Sequence, residues 1–211
     1  MFFMGSARFS HTVWRRAAAL LAAFLVCTAL WAEAAQAQLA DHVIRLHVLA
    51  NSDSQEDQAL KLQVRDAVLA HADALLAGQE QANQAALLLQ ENLDALAQTA
   101  RAEVLAQGYD YPVEVRLEET WFPTRTYDTI SLPAGNYLAL RVLIGQAEGQ
   151  NWWCVVFPSL CLSAVTETSL QAAGLSHGDY ALISEEDQAY HIRFKAVEWW
   201  QTWKHWLAQR T

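Results

Sequence analysis

The stretch Asn151 to Cys161, NWWCVVFPSLC, constrains the fold more than any other part of the chain. It holds two adjacent Trp, two Cys, a Phe and a Pro, with no charge among them. As a strand it sets Trp152, Cys154 and Val156 on one face and Trp153, Val155 and Phe157 on the other. Pro158 then ends the ladder because it has no N–H to donate. Both faces are apolar, which predicts a central strand covered on each side. Cys161 lies just past the break, and a turn through Pro158 and Ser159 would return it toward Cys154, within the Cα separation of roughly 4.4 to 6.8 Å that a disulfide requires. Two buried free thiols are the other reading of the same pair.

The choice between those readings depends on compartment, and so on the N-terminus. Arg8, Arg15 and Arg16 precede an uncharged apolar run, Ala17 to Ala32, and the small-residue pattern Ala35-Gln36-Ala37 follows it. Residues 1–37 therefore read as a signal peptide or a retained signal anchor, and residues 38–211 as one exported domain. In an oxidising compartment the two Cys that remain favour a structural disulfide, Cys154 to Cys161. Removing three Arg and one Glu with the leader takes the formal charge from −9 to −11. So acidic a domain excludes nucleic acid as a partner, since phosphate binding needs basic patches.

Beyond the leader, His42 to Ala50 alternates with period two. Ile44, Leu46 and Val48 fall on one side, Arg45 and His47 on the other, as in a strand. Asn51, Ser52, Asp53 and Ser54 stop it, and Ser54 or Asp53 can cap the following helix, with Glu56 and Asp57 near its positive end. That helix runs from Asp57 to about Ala77, and a second from about Gln81 to Ala106, closed by Gly78 and Gly108 respectively. Strands are expected at Val113 to Leu117, Tyr137 to Ile144 and Tyr190 to Lys195, with a loop from Phe122 past Tyr127. The second of these is expected to form a hairpin with the Trp152 strand. Arg141, on a strand face with Ala139 and Leu143, needs a carboxylate such as Glu114 or Glu118, or a snorkelled stem. The chain ends in VEWWQTWKHWL, with Trp199, Trp203, Trp206 and Leu207 on one helical face. Docking of that helix within the domain is the expectation, and contact with a membrane the alternative.

Two long segments, IRLHVLANSDSQEDQALKLQVRDAVL from Ile44 and FPTRTYDTISLPAGNYLALRVLIGQAEGQNWWCVVFPSLC from Phe122, closely resemble the stage II sporulation protein R family. The resemblance covers about Asp41 to Cys161. Asn51, Ser52 and Asp53 match its turn after the first strand, and Asp57, Lys61, Arg65 and Asp66 match polar positions of the next helix. Pro133 and Gly135 match a turn, and Trp152, Trp153, Cys154, Pro158 and Cys161 match the aromatic and Cys block. Asp128 and Ala147 stand where the family pattern has Gly, and Ser159 where it has the second Pro of a pair.

The resemblance implies a protein exported from the forespore to the intermembrane septal space, where it activates a membrane-embedded sporulation aspartic protease that processes the sigma-E precursor. Its action would be contact rather than turnover, with no catalytic residue, metal or cofactor. HExxH, phosphate-loop and dinucleotide motifs are absent from the sequence, and His42 and His47 point to opposite faces of one strand. Asn51, Ser52, Asp53, Asp57, Lys61, Arg65 and Trp152 are the expected partner-binding residues, although capping alone explains the carboxylates. Two competing classes are an exported hydrolase or thiol enzyme built on Cys154 and a His, and a membrane-associated structural envelope protein. The expected fold class is α+β: a two-layer α/β sandwich whose mostly antiparallel sheet carries two helices on one face, with a Trp-rich C-terminal helix.

Overall fold

A computed structural model describes residues 7–127, 130–159, 175, 183 and 190–210. Five helices occur among the described residues: α1 Ala7–Ala40, α2 Gln55–Leu76, α3 Ala82–Glu91, α4 Leu93–Ala106 and α5 Tyr190–Ala208. The strands are β1 Ile44–Leu49, β2 Val113–Phe122, β3 Arg125–Tyr127, β4 Ile130–Leu132, β5 Gly135–Ile144 and β6 Asn151–Phe157. Four of them form an open sheet in the order β2-β5-β1-β6, and β3 and β4 make a separate small hairpin. Within the sheet β2–β5 and β1–β6 are antiparallel, and only β1–β5 is parallel. The fold class is thus the expected α+β arrangement with a mostly antiparallel sheet.

Alternation along β1 divides the sheet into two unlike faces. Leu46 and Val48 lie in register with Leu140 and Val142 on one side and with Cys154 and Trp152 on the other. Together they form the main core against Leu60, Val64, Val68, Leu96, Ala100 and Val104 of α2 and α4. The rows Leu60-Val64-Val68 and Leu96-Ala100-Val104 repeat every fourth residue, which aligns them along one side of each helix. Ser54 caps α2, its hydroxyl accepting from the Asp57 N–H at 3.1 Å. Gly78 and Gly108, with φ of 79° and 85°, follow the ends of α2 and α4 in the left-handed conformation that glycine adopts without strain.

Several expectations are corrected. The hairpin between β5 and β6 does not form, because β1 lies between them. Residues 145–150 instead cross the end of β1, where Gly149 N–H donates to the Ala50 carbonyl at 3.0 Å. The Trp152 strand is therefore the outer strand of the sheet rather than a central one; α2 packs against it, and Arg125 of β3 lies over the Trp153 ring. That hairpin occupies part of the segment read as a loop, and β2 continues to Phe122. The helix expected over 81–106 is two helices meeting at Asn92, whose side chain donates to the Leu88 carbonyl at 2.8 Å, a local bond that competes with helix continuation. The strand expected at Tyr190 to Lys195 is the beginning of α5.

The C-terminal helix docks, but not through its aromatic stripe. Val197 and Gln201 are buried, Trp200 and Lys204 meet Glu33 of α1, and His205 stacks on Trp121 at 3.9 Å between centroids. Trp199, Trp203, Trp206 and Leu207 remain exposed. Polar partners on α1 and the free face of Trp121 select the docking side, which hydrophobicity alone would not have chosen.

Candidate functional site

The Asn-Ser-Asp turn is the point where β1, α2 and the 145–150 loop are tied together. Asn51 donates through Nδ2 to Asp57 Oδ2 at 2.8 Å, and Ser52 Oγ donates to the same oxygen at 2.5 Å. The other end of Asn51 accepts from Gln146 N–H at 3.0 Å, while Asp53 Oδ1 accepts from Gln150 N–H at 2.7 Å. Lys61 Nζ donates to the Gln150 carbonyl at 3.0 Å and to Gln58 Oε1 at 2.6 Å. Packing is equally close: a Cβ on Gly149 would stand 2.2 Å from the Ser52 carbonyl oxygen. Ala147 takes a φ of 55° in this loop.

Burial sorts the seven expected partner-binding residues into two groups. Asp57 and Lys61 are buried, with their polar atoms engaged inside the fold. Burial pushes the Asp57 carboxyl up, but hydrogen bonds from Ser52, Asn51, Tyr111 and Ser54 outweigh it and hold the group below the usual carboxylate range. Lys61 is shifted down, first by burial and then by Arg65, with Asp53 opposing. Asn51 and Ser52 are half-buried, and Asp53 is exposed. Arg65 and Trp152, separated by 87 positions in sequence, meet as a cation–π pair with the guanidinium 4.2 Å from the ring centroid, both half-buried. Of the seven, Asp53, the half-buried Asn51 and Ser52, and the Arg65–Trp152 stack thus keep solvent exposure.

The opposite face of the sheet holds residues that sequence reasoning left without a role. Arg45 is fully buried, its guanidinium 4.2 Å from the Phe122 ring centroid and 5.0 Å from that of Tyr137. Nη2 donates to the Tyr127 hydroxyl at 2.6 Å, while Nε and Nη1 have no hydrogen-bond partner among the described residues. Beside it His47 bonds to Asn151 Oδ1 at 2.6 Å and stacks on Trp153, which also meets the Arg125 guanidinium at 4.1 Å. Burial lowers the His47 pKa, the Asn151 bond opposes this, and Arg141 and Arg45 add to the lowering. Arg141 pairs with Glu118, one of its two expected partners; Glu114 pairs with Arg116 instead. An arginine within an otherwise apolar strand was the available signal for this cluster. Its aromatic partners lie 77 or more positions away and could not be matched to it.

Cys154 is buried and disulfide-bonded; its expected partner Cys161 lies outside the described residues. His47 projects from the face of β1 opposite to Leu46, the residue in register with Cys154. His42 Nδ1 lies 2.7 Å from the Gln38 carbonyl oxygen in the turn after α1. Among the described residues no group of three or more His, Cys, Asp or Glu side chains is gathered in a metal-binding arrangement.

Comparison with known proteins gives this arrangement a family. The model of the family described as Stage II sporulation protein R (spore_II_R) matches residues 40–167, from the last residue of α1 through the whole sheet. Stage II sporulation protein R of Bacillus subtilis (strain 168) is 36% identical over 121 residues, 57% of this chain and 54% of the relative. The chain therefore spans about half the length of the curated relative it matches. No solved structure matches it. With the Asn51 turn, the Arg65–Trp152 pair and the Cys154 strand all inside the matched stretch, the chain belongs to the stage II sporulation protein R family.

Proposed function

We propose that this protein is an exported sporulation signal that acts by touching a membrane-embedded aspartic protease and so promotes processing of the sigma-E precursor. The observation that carries the reading is the half-buried Arg65–Trp152 stack, set on the helix that Asp57 and Lys61 fasten to the Asn51 turn and the 145–150 loop. Aromatic and Arg side chains on a rigid frame are the residue types that dominate protein–protein binding energy, and a surface held in shape beforehand loses little entropy on docking. Such a ligand raises protease activity by binding the active arrangement more tightly than the resting one. Contact is favoured over thiol catalysis because the Cys154 sulfur is committed to a disulfide on the face of the sheet away from His47.

The test is reconstitution of the full chain with the protease and its precursor substrate in proteoliposomes. Arg65→Glu and Trp152→Ala are expected to lower processing at least tenfold while circular dichroism is unchanged, and activation is expected to saturate near one ligand per protease. Full activity of both variants, or conversion of many protease molecules by trace ligand, would overturn the reading.

A further inference from the structure

The two helices outside the sheet core share a property that the signalling surface does not use: each is docked along one stretch and leaves large apolar side chains in the open. In α1 the change is abrupt. From Val13 to Trp31 the large apolar residues are exposed, Trp14 at 73% and Phe24 at 65%, whereas Ala32, Gln36 and Leu39 are buried. Residues 17–32 carry no charge. The helix from Thr12 onward is long and apolar enough to cross a membrane; its uncharged part alone covers only about 24 Å at 1.5 Å per residue, and Arg15 and Arg16, reaching their guanidinium groups out to the headgroups, extend the span toward the roughly 30 Å hydrocarbon core.

The buried turns are structural parts of the domain. Gln36 Nε2 donates to the Asn136 carbonyl at 2.9 Å, and its side chain fills the space where a Cβ on Gly135 would stand 2.5 Å away. Glu33 accepts from Lys204 at 2.6 and 2.7 Å and from Trp200 Nε1 at 2.9 Å. Cleavage after Ala37 would remove Ala32, Glu33 and Gln36 together, leaving Trp200 and Lys204 of α5 without Glu33 and Asn136 of β5 without Gln36. Among the large apolar side chains that α5 leaves in the open are Trp199 at 77% exposure, Trp203, Trp206 and Leu207, with Arg210 stacked 3.8 Å from the Trp206 ring centroid.

We infer that α1 is retained as a transmembrane anchor whose last turns are built into the fold, and that the exposed Trp face of α5 rests in the membrane–water interface beside it. The occupant of both apolar surfaces is one lipid bilayer. α5 is packed on α1 where the exposed stretch ends, and Trp is the residue enriched where hydrocarbon meets headgroups. Arg15 and Arg16 at the other end of the span hold the N-terminus in the cytoplasm and send the sheet domain outward. Lys204 is neutralised by Glu33, so the contact does not require anionic lipid.

The inference is independent of the protease reading, because its test reads mass and lipid contact rather than processing. The full chain is produced in an exporting bacterial host, its membrane fraction washed with alkaline carbonate, and the intact mass measured. A carbonate-resistant species with the mass of all 211 residues is expected; a carbonate-soluble species beginning at Gln38 overturns retention. The purified full chain is then placed in phosphatidylcholine vesicles containing lipids brominated at a shallow position. Replacing Trp199, Trp203 and Trp206 by Ser is expected to remove at least a third of the shallow quenching, whereas equal quenching in the variant refutes the interfacial contact even if α1 is retained. Gln36→Ala provides a milder probe of the docked turns: it should increase protease nicking near Ala37, and unchanged nicking would count against their structural role.

Discussion

Replacing Asp57 by Ala is the sharpest test of how this fold is held, because one carboxylate oxygen ends two side-chain hydrogen bonds at the junction of strand, helix and loop. A net hydrogen bond to a charged group contributes about 1.5 to 3 kcal/mol when buried, and a donor left unsatisfied costs a similar amount. Asn51 and Ser52 are half-buried and would recover some hydration, so the expected loss is about 2 to 3 kcal/mol rather than the full sum. Asp57→Asn, which keeps shape and one acceptor, should lose about half as much. Urea unfolding of the full chain in detergent, followed by near-ultraviolet circular dichroism, reads both values. Acid adds an independent check: the folded carboxyl lies below its ordinary value near 3.8, so its contribution is complete above that pH and disappears as pH falls through the folded value. The natural chain should therefore lose more stability below pH 3.8 than Asp57→Asn does. A loss under about 0.5 kcal/mol for Asp57→Ala, the range of ordinary surface changes, together with identical acid profiles, would refute the reasoning.

Two other perturbations probe the far face of the sheet. His47 has a folded pKa below its ordinary value of 6.5, with burial as the leading cause. The stability it contributes is whole above pH 6.5 and is lost as pH falls through the lowered folded value, so His47→Gln should flatten the stability profile between pH 7 and 5; an unchanged slope would count against it. Arg45 keeps a cation buried with one hydrogen bond and aromatic rings in place of a carboxylate. Arg45→Met should be neutral or stabilising by about 1 to 4 kcal/mol in thermal unfolding, and a loss of more than about 2 kcal/mol would show that the aromatic cage more than offsets desolvation.

Period was sufficient for β1, α2 and α4, although the alternation at Tyr190 to Lys195 proved to lie on a helix. Leu46 and Val48 alternate with Arg45 and His47, and the four-residue rows of α2 and α4 assign those faces to the core. The order of strands was not readable in the same way, because it depends on which backbone the 145–150 loop follows. The Ala50 carbonyl and Asn51 side chain hold that loop across the end of β1, and hydrogen bonds between residues about 100 positions apart leave no periodic trace. The same limit explains the site. Asn51, Ser52 and Asp57 are close in sequence and were found as a group, whereas the approach of Arg65 to Trp152 follows from β6 pairing with β1 rather than with β5. The C-terminal helix adds a third case, since its most apolar face is the one left exposed. A rule that puts apolar residues inside holds only when water is the sole alternative. The long apolar helix that meets α5 through Glu33 supplies another alternative. On that reading, the mismatch between the Trp stripe and the docking face is the mark of a second solvent.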